Sequence, residues 1–376
     1  MLCVGGFISS CIDRFDPGAS AGFVPKLVIE ANIVPDDGVQ EIVISYSSTP
    51  DNPDFIPVSG CQVRIEDEQG RQFPFPELGT GRYRGVIKGD QVVIGHKYRL
   101  FVLTPEGKTF SSSFEELLPC PTVDSVYYEL YSKETSNNDV EEGVQFLIDL
   151  KANENYGRFF RWELVETYEY HASVPLQKWL DSNGLHQLPK PDFSHYVCYK
   201  TENRPEILIL STHGFSQNSY KKFKLHFVDD RSQRLLYQYS LLVKQYSISQ
   251  KAYNYWQSLK KNNQEAVDMF GKQPANVTGN ISNEMDTTER ALGNFTVSLV
   301  NTKRIMVHRI EALPFKQLPK CLGQVLNGPL PSDRPLYFSD WVTEQGDYSE
   351  GIIGEQCIFC ELFGGTTLKP AFWNMK

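Results

Sequence analysis

Short segments in which apolar and polar side chains alternate recur along the first third of the chain. Residues 26–34, 41–47 and 61–67 are three of them, and turns that contain glycine or proline separate one from the next. A two-residue period is the pattern of a strand that buries one face. Further strands are predicted at 81–86, 97–103 and 108–113. About seven regularly spaced strands, with no helical period between them, predict an antiparallel, immunoglobulin-like β-sandwich.

A second β-rich region follows the proline-containing segment 118–121, which marks a predicted domain boundary. Alternating apolar and aromatic residues predict strands at 144–150 and 160–170, and 295–300 with 304–310 form a predicted closing hairpin. The clearest alternation lies at 222–227, where Phe223, Leu225 and Phe227 alternate with Lys222, Lys224 and His226. This region is therefore also predicted to be mainly β. Residues 171–195, which contain three prolines, are predicted to be a loop.

One segment has a helical period instead. Apolar residues recur at helical spacing after Ser249, which is a residue type that caps the first turn of a helix. They are Ala252, Tyr255, Trp256 and Leu259. The spacing predicts a helix over 249–263 whose aromatic face packs onto a sheet.

These patterns predict two folded domains that follow a tether. Residues 1–22 are assigned to a signal-peptide remnant, lipobox and tether, 23–119 to the sandwich, and 120–376 to a larger β-rich domain that includes the helix. The chain after residue 313 is rich in proline, glycine and cysteine, yet it carries tryptophans and phenylalanines that favour burial. We therefore expect an ordered tail that disulfides hold against the second domain.

The amino-terminal segment is the candidate membrane anchor. Residues 1–11 are apolar, and they end in Ile8, Ser9, Ser10 and Cys11. This ending resembles a bacterial lipobox, in which the peptide is cut before the cysteine and the cysteine carries the lipid. Because acyl chains hold a protein at a bilayer, Cys11 is the predicted lipidation site. A complete signal peptide has a basic region and a longer apolar core, so we expect the natural start codon upstream. The alternative is a buried strand that contains a cysteine.

Six cysteines remain besides Cys3 and Cys11, and an even number in an exported chain favours disulfides. The candidates are Cys61, Cys120, Cys198, Cys321, Cys357 and Cys360. We expect the two cysteines of the closest pair, Cys357 and Cys360, to join the tail to the domain rather than to form a redox or zinc motif. Cys321 is the expected partner of one of them. Cys61 and Cys120 could pair within the first domain.

The composition and motifs give little support for catalysis. A formal net charge of -9 disfavours a nucleic-acid partner, because nucleic acids bind basic surfaces. Metal-protease, nucleophile-elbow, phosphate-loop and calcium-loop motifs are absent from the sequence, and we expect no cofactor, no metal and no enzymatic activity. The alternative is an envelope hydrolase that depends on a metal or a histidine. In it, His171, His186 and His195 would gather around a metal with Asp181 or Asp192.

Several short phrases occur together along the chain. They include Gln245-Tyr246-Ser247-Ile248-Ser249, Gln273-Pro274-Ala275-Asn276-Val277, Gly279-Asn280-Ile281, Leu292-Gly293, Cys357-x-x-Cys360, Gly364-Gly365 and Phe372-Trp373. Over about residues 24–373, the combination resembles the Bacteroidota lipoproteins that carry domain of unknown function 4249. The family has no established catalytic residues, so none is assigned. Gly279-Asn280 suits a tight turn with positive φ, and Gly364-Gly365 suits a close approach between backbones.

The resemblance implies a lipoprotein of the outer membrane. Such proteins are often encoded beside TonB-dependent transporters. We therefore expect a non-catalytic accessory protein that Cys11 anchors in the outer membrane and that assists such a transporter. A structural or adhesive surface protein is a further alternative. We expect ligand or partner contact on the segment 168–195 of the second domain. The candidate residues are Tyr168, Tyr170, His171, Trp179, His186 and His195.

Overall fold

A computed structural model describes residues 24–35, 38–49, 53–134, 140–265, 277–315, 321, 335–342 and 348–374. The described residues are mainly β, as the sequence predicts, with several antiparallel sheets and one α-helix. The chain divides into two compact units. Unit 1 comprises Met1–Leu117 and Gln257–Leu299, and unit 2 comprises Leu118–Trp256 and Val300–Lys376.

The strands are numbered in chain order. The first ten are β1 (Leu27–Ile33), β2 (Val39–Tyr46), β3 (Ile56–Pro57), β4 (Gln62–Asp67), β5 (Gln72–Phe75), β6 (Glu77–Gly79), β7 (Arg82–Val86), β8 (Lys97–Leu103), β9 (Thr109–Ser112) and β10 (Glu115–Glu116). The next eight are β11 (Ser125–Glu134), β12 (Val140–Lys151), β13 (Phe159–His171), β14 (Leu176–Asp181), β15 (Gly184–Asp192), β16 (Val197–Ser211), β17 (Ser219–Asp229) and β18 (Gln238–Ser247). After the helix α1 (Gln250–Glu265) come β19 (Ile281–Asn283), β20 (Leu292–Val297), β21 (Val300–His308), β22 (Leu336–Val342) and β23 (Tyr348–Ile353).

Unit 1 is a sandwich of two sheets. One sheet has the strand order β20-β1-β2-β7-β6 with β3 beside β2, and the other has the order β19-β9-β8-β4-β5 with β10 beside β8. Along β1, Leu27, Ile29, Ala31 and Ile33 are buried and the residues between them are not, as their alternation predicts. They share one apolar core with residues of the second sheet, such as Leu100. Each fully buried leucine or isoleucine stabilises the unit by roughly 1.5–3 kcal/mol.

Two strands of unit 1 come from late in the sequence. β20 pairs in parallel with β1, from Leu292 beside Val28 to Val297 beside Ile33, and β19 pairs with β9. Residues 257–299 therefore belong to unit 1, whereas the sequence analysis kept them in a continuous domain 120–376. The predicted hairpin of 295–300 and 304–310 is wrong for the same reason, because β20 pairs with β1 and β21 pairs with β18.

Unit 2 is built around a three-stranded sheet, β11-β12-β17, and a four-stranded sheet, β16-β13-β18-β21. Their inward residues form one core in which Trp162 is the largest buried side chain. The Trp162 indole N–H donates to Gln245 Oε1 at 3.0 Å, and the rings of Phe146 and Tyr239 stack at 5.3 Å. These aromatic contacts hold the long strands β13 and β18 under the smaller sheet.

The helix α1 lies close to its predicted position. Ser249 Oγ accepts a hydrogen bond from the Ala252 N–H at 3.1 Å, so the predicted cap is present. Ala252 is buried, and the Arg161 guanidinium of β13 lies 3.9 Å from the centre of the Trp256 ring. The aromatic face of the helix therefore packs on a strand of unit 2, as the spacing predicts.

A third sheet of unit 2, β15-β14-β22-β23, occupies the segment that the sequence analysis predicted to be a loop. The prediction of a loop at 171–195 is wrong, because β14 and β15 form a hairpin that turns at Ser182 and Asn183. Gly184 supplies the positive φ that such a turn favours. Pro189 and Pro191 lie in β15, which is an edge strand, and an edge tolerates a residue without an N–H.

Candidate functional site

One disulfide joins the tail to the rest of unit 2, and a second lies within the tail. Cys198 of β16 is bonded to Cys360, and Cys321 is bonded to Cys357, so the expectation that Cys357 too would join the tail to the domain is wrong. The prediction that Cys321 pairs with one cysteine of the close pair is confirmed. Both cysteines of that pair are therefore structural, and neither is free for redox or zinc chemistry.

Cys61 and Cys120 do not form the disulfide that the sequence suggested. Both are free and buried, and Cys61 lies in unit 1 whereas Cys120 lies in unit 2. Burial raises the pKa of each thiol, so both are held as neutral, small apolar side chains. Cys120 Sγ lies 3.2 Å from the Gln245 carbonyl oxygen, to which it donates.

The Cys198–Cys360 disulfide joins two segments that display apolar side chains to solvent. The Cys360 N–H donates to the His195 carbonyl at 3.1 Å, and Tyr199 and Thr366 exchange backbone hydrogen bonds across the same junction. The exposed side chains on these two segments are Phe193, Leu362, Phe363 and Leu368, which are 57%, 57%, 51% and 78% exposed. We call these four residues the disulfide surface. Large exposed apolar side chains on two segments that are fixed to each other are candidates for an interaction site.

Some of the predicted contact residues lie beside this surface, and the six do not converge on one point. Tyr170 is buried and its hydroxyl donates to the Cys360 carbonyl at 2.7 Å. His195 Nδ1 lies 2.5 Å from Glu361 Oε1, which adds a second tie between the two segments. Tyr168 neighbours Tyr170 at 5.8 Å between ring centres. Tyr170 and His195 therefore hold the segments of the disulfide surface in place and are not part of its four exposed apolar side chains.

His171 belongs to an aromatic row that leads to the disulfide surface. Its ring stacks on Tyr237 at 3.6 Å and contacts Tyr196 at 5.1 Å, and Tyr196 in turn contacts Phe193 at 5.3 Å. His171 Nε2 lies 2.9 Å from Glu169 Oε1. This hydrogen bond is the main cause that holds the pKa of the Glu169 carboxyl below its usual value.

Trp179 and His186 lie on the β14–β15 hairpin as a separate pair. Their rings stack at 4.8 Å between centres with an angle of 10°, and His186 Nε2 lies 2.9 Å from Asp181 Oδ1. The hydrogen bond to His186 lowers the pKa of the Asp181 carboxyl. The stack braces the hairpin across its two strands.

The histidines of this region do not form the metal site that the hydrolase alternative requires. His171, His186 and His195 each pair with a different carboxylate. Among the residues that the structure describes, one group of three possible ligands lies close enough for a metal, namely Cys198, Cys360 and Glu361. Its two sulfurs are bonded to each other, so they cannot both bind a metal as thiolates.

A cluster of ionisable side chains that the sequence analysis missed lies in the core of unit 2. Its members are Glu166, Arg204, Glu206, His226, Arg234 and Tyr239. Glu166 is fully buried, and Tyr239 donates to its Oε2 at 2.8 Å. Arg204 and Arg234 place their Nη1 atoms 3.2 and 3.6 Å from Glu166 Oε1. One buried carboxylate thus faces two guanidinium groups.

His226 lies between the two carboxylates of this cluster. Its Nδ1 is 3.0 Å from Glu206 Oε1, and its Nε2 is 3.6 Å from Glu166 Oε2, which is an ionic contact too long for a hydrogen bond. Burial opposes the charged imidazole, yet Glu166 and Glu206 outweigh it and raise the pKa of His226. Burial likewise opposes the charged form of Glu206, but His226 and Arg204 lower its pKa to about 2.

The neighbours of Glu166 also stabilise the ionised form of its carboxyl group. Burial alone would raise its pKa, but His226, Arg234 and Tyr239 together hold the pKa below its usual value. A carboxylate that is ionised, buried and bound by fixed donors cannot readily accept a proton, as a general base must. The contacts of the cluster join strands β13, β16, β17 and β18 through charged and polar side chains.

The chain matches the family described as Domain of unknown function (DUF4249) over residues 12–304. The chain belongs to this family. The match covers the sandwich, the cluster and the helix, whereas Cys321, Cys357 and Cys360 lie beyond it, so the resemblance extends less far into the tail than the sequence suggested. No curated protein matches the chain.

Two observations concern the membrane. None of the described helices is long and apolar enough to cross a bilayer. Cys11, the predicted lipidation site, lies outside the described residues, although the family match begins at the residue that follows it.

Proposed function

We propose that the chain is a non-catalytic, lipid-anchored binding protein of the bacterial outer membrane that works with a TonB-dependent transporter. The observation that carries this proposal is the disulfide surface. Its four apolar side chains are between 51% and 78% exposed, on segments that a disulfide and backbone hydrogen bonds fix in place. A rigid apolar patch binds a partner without a large loss of conformational entropy.

The anchor and the surface have complementary roles in this proposal. Lipid on Cys11 confines the folded units to the membrane plane, and confinement raises the effective concentration of the surface near a membrane partner. Membership of the family and the two disulfides support an exported protein. The transporter as partner follows from the resemblance to Bacteroidota lipoproteins.

Copurification from gently solubilised outer membranes tests the surface. Leu362→Asp combined with Leu368→Asp places two charges on the apolar patch, and we expect it to abolish capture of the transporter. Leu130→Asp is the matched control, because Leu130 is 54% exposed on the edge strand β11. Mass spectrometry identifies the captured proteins. Equal capture by the double variant and the control contradicts the role of the surface, and wild-type capture without any transporter contradicts the choice of partner.

The anchor has its own test. Metabolic labelling with a fatty acid should modify the native full-length product, and Cys11→Ser should remove both the label and the association with membranes. Label that persists in the Cys11→Ser variant would show that another residue carries the lipid.

A further inference from the structure

Unit 1 contains a pocket that none of the features above explains. It has a volume of about 550 Å³ and opens at one end of the sandwich, where β1 begins, β2 ends and the β8–β9 turn projects. Leu27, Phe110 and Ala291 form its apolar lining and belong to the core of the unit. Pockets of this size hold small organic ligands.

The rim of the pocket is charged and has an excess of positive charge. Lys26, Lys108 and Arg290 face Glu106 and Glu289 among the described lining residues, which leaves one net positive charge. Lys108 Nζ and Glu289 Oε1 form an ion pair at 2.6 Å, so these two charges neutralise each other. Lys26 and Arg290 are exposed and form no ion pair within the described parts of the chain.

A buried hydroxyl beside the pocket also lacks a partner. Thr104 lines the pocket and is 4% exposed, and its Oγ1 has no hydrogen-bond partner among the described residues. A buried hydroxyl without a partner costs free energy, so such groups are usually satisfied by protein, water or ligand. Surrounding atoms close the Oγ1 atom off from the pocket, so this hydroxyl is not a contact for a ligand there.

We propose that this pocket binds a small organic monoanion with an apolar body, of which a medium-chain carboxylate is the simplest example. The apolar body would contact Leu27, Phe110 and Ala291, and the carboxylate would lie between Lys26 and Arg290. Charge complementarity decides the class of ligand, because a cationic ligand would meet the same two side chains with repulsion. The proposal is independent of the transporter, since the pocket lies in unit 1 and the disulfide surface lies in unit 2.

Calorimetric titration of the full-length protein with three probes tests the class of ligand. Octanoate, octanol and octyltrimethylammonium share one apolar chain and differ in the charge of the head group. We expect octanoate to bind with a stoichiometry of one, about tenfold more tightly than octanol, since a charge-assisted hydrogen bond is worth that factor or more. Octyltrimethylammonium should bind most weakly. Equal affinity for the three probes, or no binding of octanoate, overturns the proposal.

Point variants test the position of the head group. Arg290→Gln and Lys26→Gln should each weaken octanoate binding by about three- to tenfold and leave octanol binding unchanged. Thr104→Val removes, at constant shape, a hydroxyl that the pocket does not reach, and it should leave octanoate binding unchanged. Lys97→Gln is the matched control, because Lys97 is an exposed lysine of the same unit that does not line the pocket.

Circular dichroism checks that every variant is folded. Unchanged octanoate affinity in both Arg290→Gln and Lys26→Gln would overturn the proposal even if octanoate binds. The outcome is also separate from the test of the disulfide surface, because Arg290→Gln should capture the transporter as the wild type does.

Discussion

Replacement of Glu166 by glutamine removes the central charge of the buried cluster and keeps its shape. Tyr239 can still donate to the amide oxygen, but Arg204, Arg234 and His226 lose the carboxylate that they share. Loss of one partner from a buried ion pair costs about 3–5 kcal/mol. Glu206 still faces Arg204 and His226, and Asp229 still faces Arg234, so we expect the lower end, about 3 kcal/mol of the free energy of unfolding of unit 2.

Tryptophan fluorescence during urea unfolding measures this loss in unit 2 alone, because all five tryptophans lie within it. Glu163→Gln is the matched control on the same strand. Glu163 pairs with Arg161 at 2.7 Å and accepts from the Tyr246 hydroxyl at 2.7 Å, but its side chain is 35% exposed. The control should cost less than about 1 kcal/mol. Equal losses in the two variants would refute the reasoning from burial.

The stabilisation by Glu166 and His226 should also depend on pH. The pKa of Glu166 is lowered by folding, so its stabilisation is present above its ordinary value of 4.5 and is lost as the pH falls through its folded pKa. The pKa of His226 is raised, so its contribution is present below 6.5 and is lost as the pH rises through its folded pKa. The difference between wild type and Glu166→Gln should therefore shrink as the pH falls below 4.5. A difference that stays constant there contradicts the assignment of the charge to Glu166.

Two further predictions concern the disulfides and one close backbone contact. Cys198→Ser opens a loop with a sequence separation of 162 and should destabilise unit 2 by about 5 kcal/mol, against about 4 kcal/mol for Cys321→Ser with a separation of 36. Urea unfolding followed by tryptophan fluorescence ranks the two, and a wild type that a reductant does not destabilise contradicts both values. Gly293→Ala should destabilise unit 1 by more than about 2 kcal/mol, because Gly293 has a φ of 98° and an added Cβ would meet the Ile29 carbonyl. Circular dichroism during heating measures this loss, and an unchanged Tm contradicts it.

The local part of the fold could be predicted from the sequence because its signals are local. The strands of unit 1 alternate within themselves, and Ser249 caps the helix as its residue type suggests. The hairpin β14–β15 carried a signal as well, since Asn183-Gly184 is a strong turn dipeptide, but the nearby prolines favoured a loop. Gly365 lies against Tyr170 and the Tyr199 carbonyl, so its predicted close approach is confirmed.

Pairings between strands that are distant in the chain could not be predicted, because they leave no local pattern in the sequence. The parallel pairing of β1 with β20 joins segments that are far apart in the chain, and parallel strands need no turn between them. Gly279 illustrates the consequence. The predicted positive φ is absent there, and the residue is small because the backbone of Gly293 passes close to it. The reason for that glycine becomes visible only when the second segment is in place.

The buried cluster could be predicted only in part, because a bulge interrupts the alternation of residues along β17. Glu166 continues the inward period of Trp162 and Leu164 along β13, so its burial could have been expected. His226 could not, because it alternates with apolar neighbours and would face outward in a regular strand. In β17 the pairing skips a residue, with His226 opposite Phe146 and Lys224 opposite Leu147. After this bulge, the side chains of β17 point to the opposite faces of the sheet from those that a regular strand would give. His226 therefore points inward to Glu166, and Phe227 points outward. The bulge in β17 therefore adds the His226 imidazole to the two guanidinium groups that also face Glu166.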